Sequence, residues 1–110
     1  DESLYLNNYN DFINKNIINY LIIKPSILGS YKNFFNLVDK AKRYKINIIL
    51  SSALETFIGN MALINLASAI TNDMHHGISI HLFYDSCNIY NNSSKVYFEN
   101  IIGLGAHIND

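Results

Sequence analysis

Residues 17–25 read Ile-Ile-Asn-Tyr-Leu-Ile-Ile-Lys-Pro, and residues 46–52 read Ile-Asn-Ile-Ile-Leu-Ser-Ser. Each is a short apolar, β-branched run ended by polar residues. Such runs predict strands buried on both faces, as in a parallel sheet. Pro25 has no N–H for a ladder and holds Lys24 extended, so the first strand stops at Lys24. The second strand is predicted over Ile46 to Leu50 and ends at Ser51-Ser52.

Working outward, Gly29-Ser30 offers a turn and an N-cap. From Tyr31 to Tyr44 the apolar residues fall at Phe34, Leu37, Val38, Ala41 and Tyr44, with Lys32, Asp39, Lys40, Lys42 and Arg43 on the outer face. That is helical spacing. After Ser52 a loop over Ala53 to Phe57 leads to an apolar helix from about Ile58 to Thr71. Gly59, Ala62, Ala67, Ser68 and Ala69 make it slim enough for close packing on a sheet. A third strand is predicted near Ile78 to Phe83, after the turn His75-His76-Gly77. At the front, Tyr9 to Lys15 reads as a short helix, and Asp1-Glu2-Ser3 as the end of an earlier strand. The strand–helix period from Lys24 to Leu50 is roughly 26 residues, suited to βα units. The fold class is therefore α/β. Three or four units do not close a (β/α)8 barrel. They form an open sheet, or the last part of a barrel. The absence of an initial Met favours the second.

Composition narrows the function. Of 110 residues, 49% are hydrophobic and 15% charged, which is a core-forming chain and not a disordered tail. A net charge of −1 speaks against a general basic surface for nucleic acid or anionic lipid. The single cysteine, Cys87, allows no internal disulfide and reads as an inert thiol. No signal peptide is evident, and the apolar stretches fall short of the roughly 18 residues of a membrane span. No nucleic-acid or membrane partner is expected. The abundance of Asn and Ile fits an AT-biased genome, so runs such as Asn91-Asn92 carry little weight.

In parallel α/β folds the site lies at the carboxyl ends of the strands. Asp1, Lys24 and Ser51-Ser52 all fall at predicted strand ends, and Gly77 precedes the last strand. An acid there suits a divalent cation. A lysine suits proton transfer when burial and a nearby cation favour its neutral form. Hydroxyls and free N–H groups suit a carboxylate. Plainer readings stand beside these. A lysine at a strand end is commonly a solvated terminus. Ser52-x-x-Glu55 has the pattern of a capping box. His75-His76 reads as a surface turn, because adjacent side chains point apart. Gly103-Leu104-Gly105 lacks the third glycine of a dinucleotide fingerprint.

Asp1-Glu2-Ser3-Leu4, Ile22-Ile23-Lys24-Pro25-Ser26-Ile27-Leu28-Gly29 and Ser51-Ser52-Ala53-Leu54-Glu55-Thr56-Phe57-Ile58-Gly59 together resemble the carboxyl-terminal part of the o-succinylbenzoate synthase family, in the muconate-lactonizing branch of the enolase superfamily. Order and spacing both agree. Leu66-Ala67-Ser68-Ala69, His76-Gly77-Ile78-Ser79 and Ile102-Gly103-Leu104-Gly105 continue the resemblance. It implies the portion from about strand five to strand eight of a modified (β/α)8 barrel. The early strands and the capping domain are absent from this chain.

The resemblance further implies a Mg2+-dependent loss of water from 2-succinyl-6-hydroxy-2,4-cyclohexadiene-1-carboxylate, giving o-succinylbenzoate for menaquinone or phylloquinone synthesis. The family holds Mg2+ through three acids, and Asp1 matches the third. It uses two lysines, and Lys24 matches the one on strand six. Ser51 and Gly77 match residues that line the pocket for the succinyl arm, and Glu55 matches an acid given a structural role here. The implied partners are a small carboxylate substrate and the missing amino-terminal part of the same enzyme. The implied compartment is a bacterial cytoplasm or a plastid stroma. The strand-two lysine and the first two metal acids are not in this chain, so the 110 residues alone are expected to be inactive. Ile78-Ser79-Ile80 replaces the family's Leu-Asp-Thr, and Thr56-Phe57 replaces a pair of small residues. Two alternatives remain: another racemase or epimerase on the same scaffold, or a non-catalytic fragment that binds a partner through open sheet edges.

Overall fold

The computed structural model describes residues 9–15, 17–70, 73–79, 90–92 and 95–97. Helix α1 covers Tyr9–Asn14, strand β1 Tyr20–Ile23, helix α2 Pro25–Leu28 and helix α3 Tyr31–Arg43. Strand β2 covers Asn47–Leu50 and helix α4 Phe57–Ala69. Strands β3, Tyr90–Asn92, and β4, Lys95–Tyr97, pair antiparallel.

Strands β1 and β2 are parallel neighbours, in the register Tyr20 to Asn47 through Ile23 to Leu50. The ladder runs one step further, with the Ser51 N–H donating to the Ile23 carbonyl at 2.9 Å. On the other side of β2, Ser51 and Gly77 form a parallel bridge. Three successive segments of chain therefore lie side by side in sequence order. Residues 17–19 stay outside β1, and Ile17 is exposed. Of the strand read over Ile78 to Phe83, Ile78 and Ser79 carry no strand beyond the Gly77 bridge, and residues 80–83 lie outside the described residues.

Local chemistry explains the helix ends. Pro25 opens α2, where a missing N–H costs nothing. Lys24 before it is extended, at φ −105° and ψ 96°. Gly29 closes α2 at φ +94°, which an L side chain tolerates poorly. Ser30 then caps α3, its Oγ accepting from the Asn33 N–H at 3.2 Å. Lys40, Lys42 and Arg43 stand in the last turn, where cations suit the dipole.

Both strands bury alternate residues. Leu21, Ile23, Ile48 and Leu50 are buried, while Ile22 and Ile49 are half-buried and Tyr20 and Asn47 exposed. The strands are thus not buried equally on both faces, as their apolar runs predicted. The buried set joins Ile13 of α1, Phe34, Leu37, Val38 and Ala41 of α3, and Leu63 and Leu66 of α4 in one core. All three helices feed the same face of the sheet. The opposite face, with Ile22 and Ile49, is only partly covered.

Candidate functional site

The half-covered face continues past the strands. Side chains alternate along extended backbone, so Lys24 follows Tyr20 and Ile22 on that face. Ser51 follows Asn47 and Ile49 by the same count. The register sets Lys24 opposite Ser51, and the bridge sets Gly77 beside Ser51. Three of the residues singled out in the sequence therefore meet at one edge. Asp1 lies outside the described residues, as do Cys87 and Gly103-Leu104-Gly105.

Segment 76–79 is pinned to the end of β2 by alternating backbone and side-chain bonds. The Leu50 N–H donates to His76 Nδ1 at 3.0 Å. The Gly77 N–H donates to the Leu50 carbonyl at 2.8 Å, and the Ser52 N–H to the Gly77 carbonyl at 3.1 Å. The Ser79 N–H donates to Ser52 Oγ at 3.1 Å. Asn60 Nδ2 of α4 donates to the Ser79 carbonyl at 3.1 Å. His76, Ser52 and Asn60 thus take the place of ladder groups where the backbone is irregular.

Two expectations are corrected here. His75-His76 is not a plain surface turn: His76 is half-buried, and its ring accepts a backbone bond. Burial holds its imidazole below the ordinary 6.5, and the charge of His75 beside it acts in the same direction. Ser52 and Glu55 do not form a capping box. The helix starts later, and Thr56 caps it, its Oγ1 accepting from the Gly59 N–H at 3.2 Å. The Ser52 hydroxyl is taken by Ser79. Glu55 Oε1 accepts from Ser26 Oγ at 2.6 Å and from the Ala53 N–H at 3.3 Å.

A cleft of 260 Å³ opens at this edge, lined by Lys24, Ser52, Ala53, Leu54, Glu55, Asn60 and Ser79. Ser51 and Gly77 stand at the strand ends beside it and do not line it. A larger cavity of 470 Å³ lies on the helix side, among residues of α2, α3 and α4. Its polar walls include Ser26 and Glu55, which bond each other. The smaller cleft, at the strand ends and holding Lys24, is the better placed for chemistry.

Asn60, Ser79 and His76 were not singled out in the sequence as site residues. Asn60 shares its only sequence signal with Asn65, the other amide within the apolar run of α4. The roles of Ser79 and His76 depend on backbone partners in β2 and α4, which no local pattern announces.

Among the described residues, no group of three His, Cys, Asp or Glu side chains is placed to hold a metal ion. Among the same residues, no helix is long and apolar enough to cross a membrane. No family model, curated protein or solved structure matches the chain.

Proposed function

We propose that this chain is the carboxyl-terminal part, from about the fifth strand, of an enolase-superfamily barrel with o-succinylbenzoate synthase activity. The observation that carries the proposal is the meeting of Lys24, Ser51 and Gly77 at one edge of consecutive parallel segments. Along the strands the core helices cover Leu21, Ile23, Ile48 and Leu50, while Ile22 and Ile49 take the other face. That arrangement suits a barrel wall, whose helices pack outside while functional residues crown the strand ends.

In the proposed reaction a carbon acid loses its proton and a hydroxyl departs as water. Lys24 serves as proton-transfer partner or as the cation that stabilises the anionic intermediate. Ser51 and the exposed backbone at Gly77 line the route of the succinyl arm. Asp1 is the ligand proposed for Mg2+, with two further acids and the second lysine supplied from outside this chain.

The test begins with the coding sequence upstream of Asp1. A continuous frame carrying a lysine motif and two more acids supports the enzyme. In that longer protein, Lys24→Ala is expected to abolish dehydration while circular dichroism stays unchanged. Retained turnover overturns the role of Lys24. An adjacent upstream stop codon overturns the enzyme and leaves a fragment whose β1 edge, unpaired among the described residues, is offered to a partner strand.

A further inference from the structure

The end of the sheet away from the cleft carries the chain's densest run of positive charge. Four of its eight Lys and Arg residues stand within positions 40–45: Lys40, Lys42, Arg43 and Lys45. The net charge of −1, which speaks against a general basic surface, hides this segregation.

The fold brings a fifth cation to the same place. Because β1 and β2 are parallel, the turns that lead into them lie side by side where both strands begin. The Asn47 N–H donates to the Asn19 carbonyl at 3.0 Å and ties the two turns together. Lys40 Nζ donates to Asn10 Oδ1 at 2.6 Å and holds α1 alongside α3. The turn between α1 and β1 carries Lys15 and Ile17. The turn between α3 and β2 carries Tyr44 and Lys45, with Lys42 and Arg43 in the last helical turn before it.

Lys15, Lys42, Arg43 and Lys45 are all exposed. Among the described residues, none of these four is held by an acid. The acids of the two helices, Asp11 and Asp39, stand about one turn back from the loops. A helix C-terminus favours cations, which accounts for Lys42 and Arg43. It does not account for Lys45. That residue sits past the helix at φ +55°, where glycine would sit without strain.

Apolar groups accompany the charge. Ile17 is 63% exposed, although its neighbour Ile18 packs on the core. Tyr44 is exposed as well. An anionic bilayer answers both features, with headgroups for the cations and an apolar boundary for the isoleucine and tyrosine. Nucleic acid answers the charge alone, because an isoleucine has no ring on which a base can stack.

We propose that the two turns leading into β1 and β2 dock the chain on an anionic lipid surface. Lys15, Lys42, Arg43 and Lys45 meet the headgroups, and Ile17 and Tyr44 dip between them. The chain lies on the membrane and does not span it. Docked this way, it holds the cleft at the other end of the strands away from the lipid. The docking does not depend on the activity proposed above.

The test is flotation of the purified 110-residue chain with vesicles of phosphatidylcholine, alone or mixed with phosphatidylglycerol. Self-associated protein stays at the bottom of such a gradient. Binding is expected on the mixed vesicles only, and is expected to fall steeply as salt is raised. Each cation near the surface is worth about fivefold in affinity, so Lys42→Gln with Arg43→Gln is expected to lose about 25-fold. Lys32→Gln, the same change near the other end of α3, is expected to lose none. Lys45→Gly separates binding from folding. It relieves the strained φ, so stability in urea is expected to hold or rise while binding falls about fivefold. Ile17→Ser is expected to weaken binding without changing its dependence on salt. Equal binding to both vesicles, binding to neither, or unchanged binding in the double variant or in Lys45→Gly overturns the proposal. An equal loss in Lys32→Gln means a diffuse charge effect and overturns it too. So does full displacement from the mixed vesicles by a single-stranded oligonucleotide at equal charge, which assigns the patch to nucleic acid.

Discussion

Acidification is expected to loosen the junction between β2 and segment 76–79, and His76 is the group responsible. Its Nδ1 accepts the Leu50 N–H at 3.0 Å, so the ring must be neutral with its proton on Nε2. Protonation puts a second donor where an acceptor is needed. Leu50 is fully buried, and a buried N–H left without a partner costs about 1–3 kcal/mol. The sign follows from linkage. The folded value lies below 6.5, from burial first and then from His75. As the pH falls below 6.5, the unfolded chain takes up the proton and the folded chain does not. Stability therefore declines with falling pH, from 6.5 down to the folded value, and levels off below it. Above 6.5 the ring is neutral in both states and adds no slope.

The ceiling for one proton is about 1.4 kcal/mol per pH unit. His76 is half-exposed, so solvent screening leaves a fraction of that ceiling. The assay is urea denaturation of the purified chain at steps between about pH 8 and about pH 5. His76→Asn is the informative variant, because asparagine Oδ1 stands as many bonds from Cβ as histidine Nδ1 and does not titrate. It is expected to match the parent at high pH and to exceed it at low pH. Subtracting the two curves cancels every other titrating group. His76→Ala is expected to lose about 1–3 kcal/mol at high pH, where the parent bond is intact. Parallel curves for the parent and His76→Asn would show that the ring does not hold Leu50, and would refute the reasoning.

Three further outcomes follow from the geometry. Ser30→Ala removes the acceptor for the Asn33 N–H and is expected to destabilise the chain by about 1 kcal/mol in urea, with unchanged m. Gly29→Ala has open space around the new methyl but strains a φ of +94°, so a loss of about 1 kcal/mol or more is expected in the same assay. Gly77→Ala brings its methyl only to ordinary contact, 3.7 Å from Ser51 Oγ, and is expected to shift stability by no more than about 0.5 kcal/mol. A large loss there would mean that Gly77 serves the fold and not the proposed pocket.

The elements that sequence reading located well are those decided within a few residues. Helix α3 keeps its buried stripe of Phe34, Leu37, Val38 and Ala41 because that spacing repeats with the helical turn. Its start at Ser30 and the break at Pro25 and Gly29 are equally local. The capping box failed because two distant groups competed for its members. Ser52 Oγ bonds Ser79, and Glu55 bonds Ser26, so neither is free to close α4. The pattern Ser-x-x-Glu was present, but tertiary partners outbid it.

The strands show a subtler limit. Ile22 and Ile49 read like their neighbours, yet only Leu21, Ile23, Ile48 and Leu50 are fully buried under the helices. An apolar run carries no alternation, so it cannot say which residues share a face. The parallel register supplies that parity. It puts Lys24 and Ser51 in line with Ile22 and Ile49 at the ends of the strands. Two half-covered isoleucines leading to a lysine and a serine make a face that is apolar along the strands and polar at their ends. A face meant for water alone has no use for that isoleucine pair. A face meant only for packing has no use for the lysine and serine at its rim. Both are accounted for if further strands curve round to enclose the isoleucines while the rim stays open to a ligand.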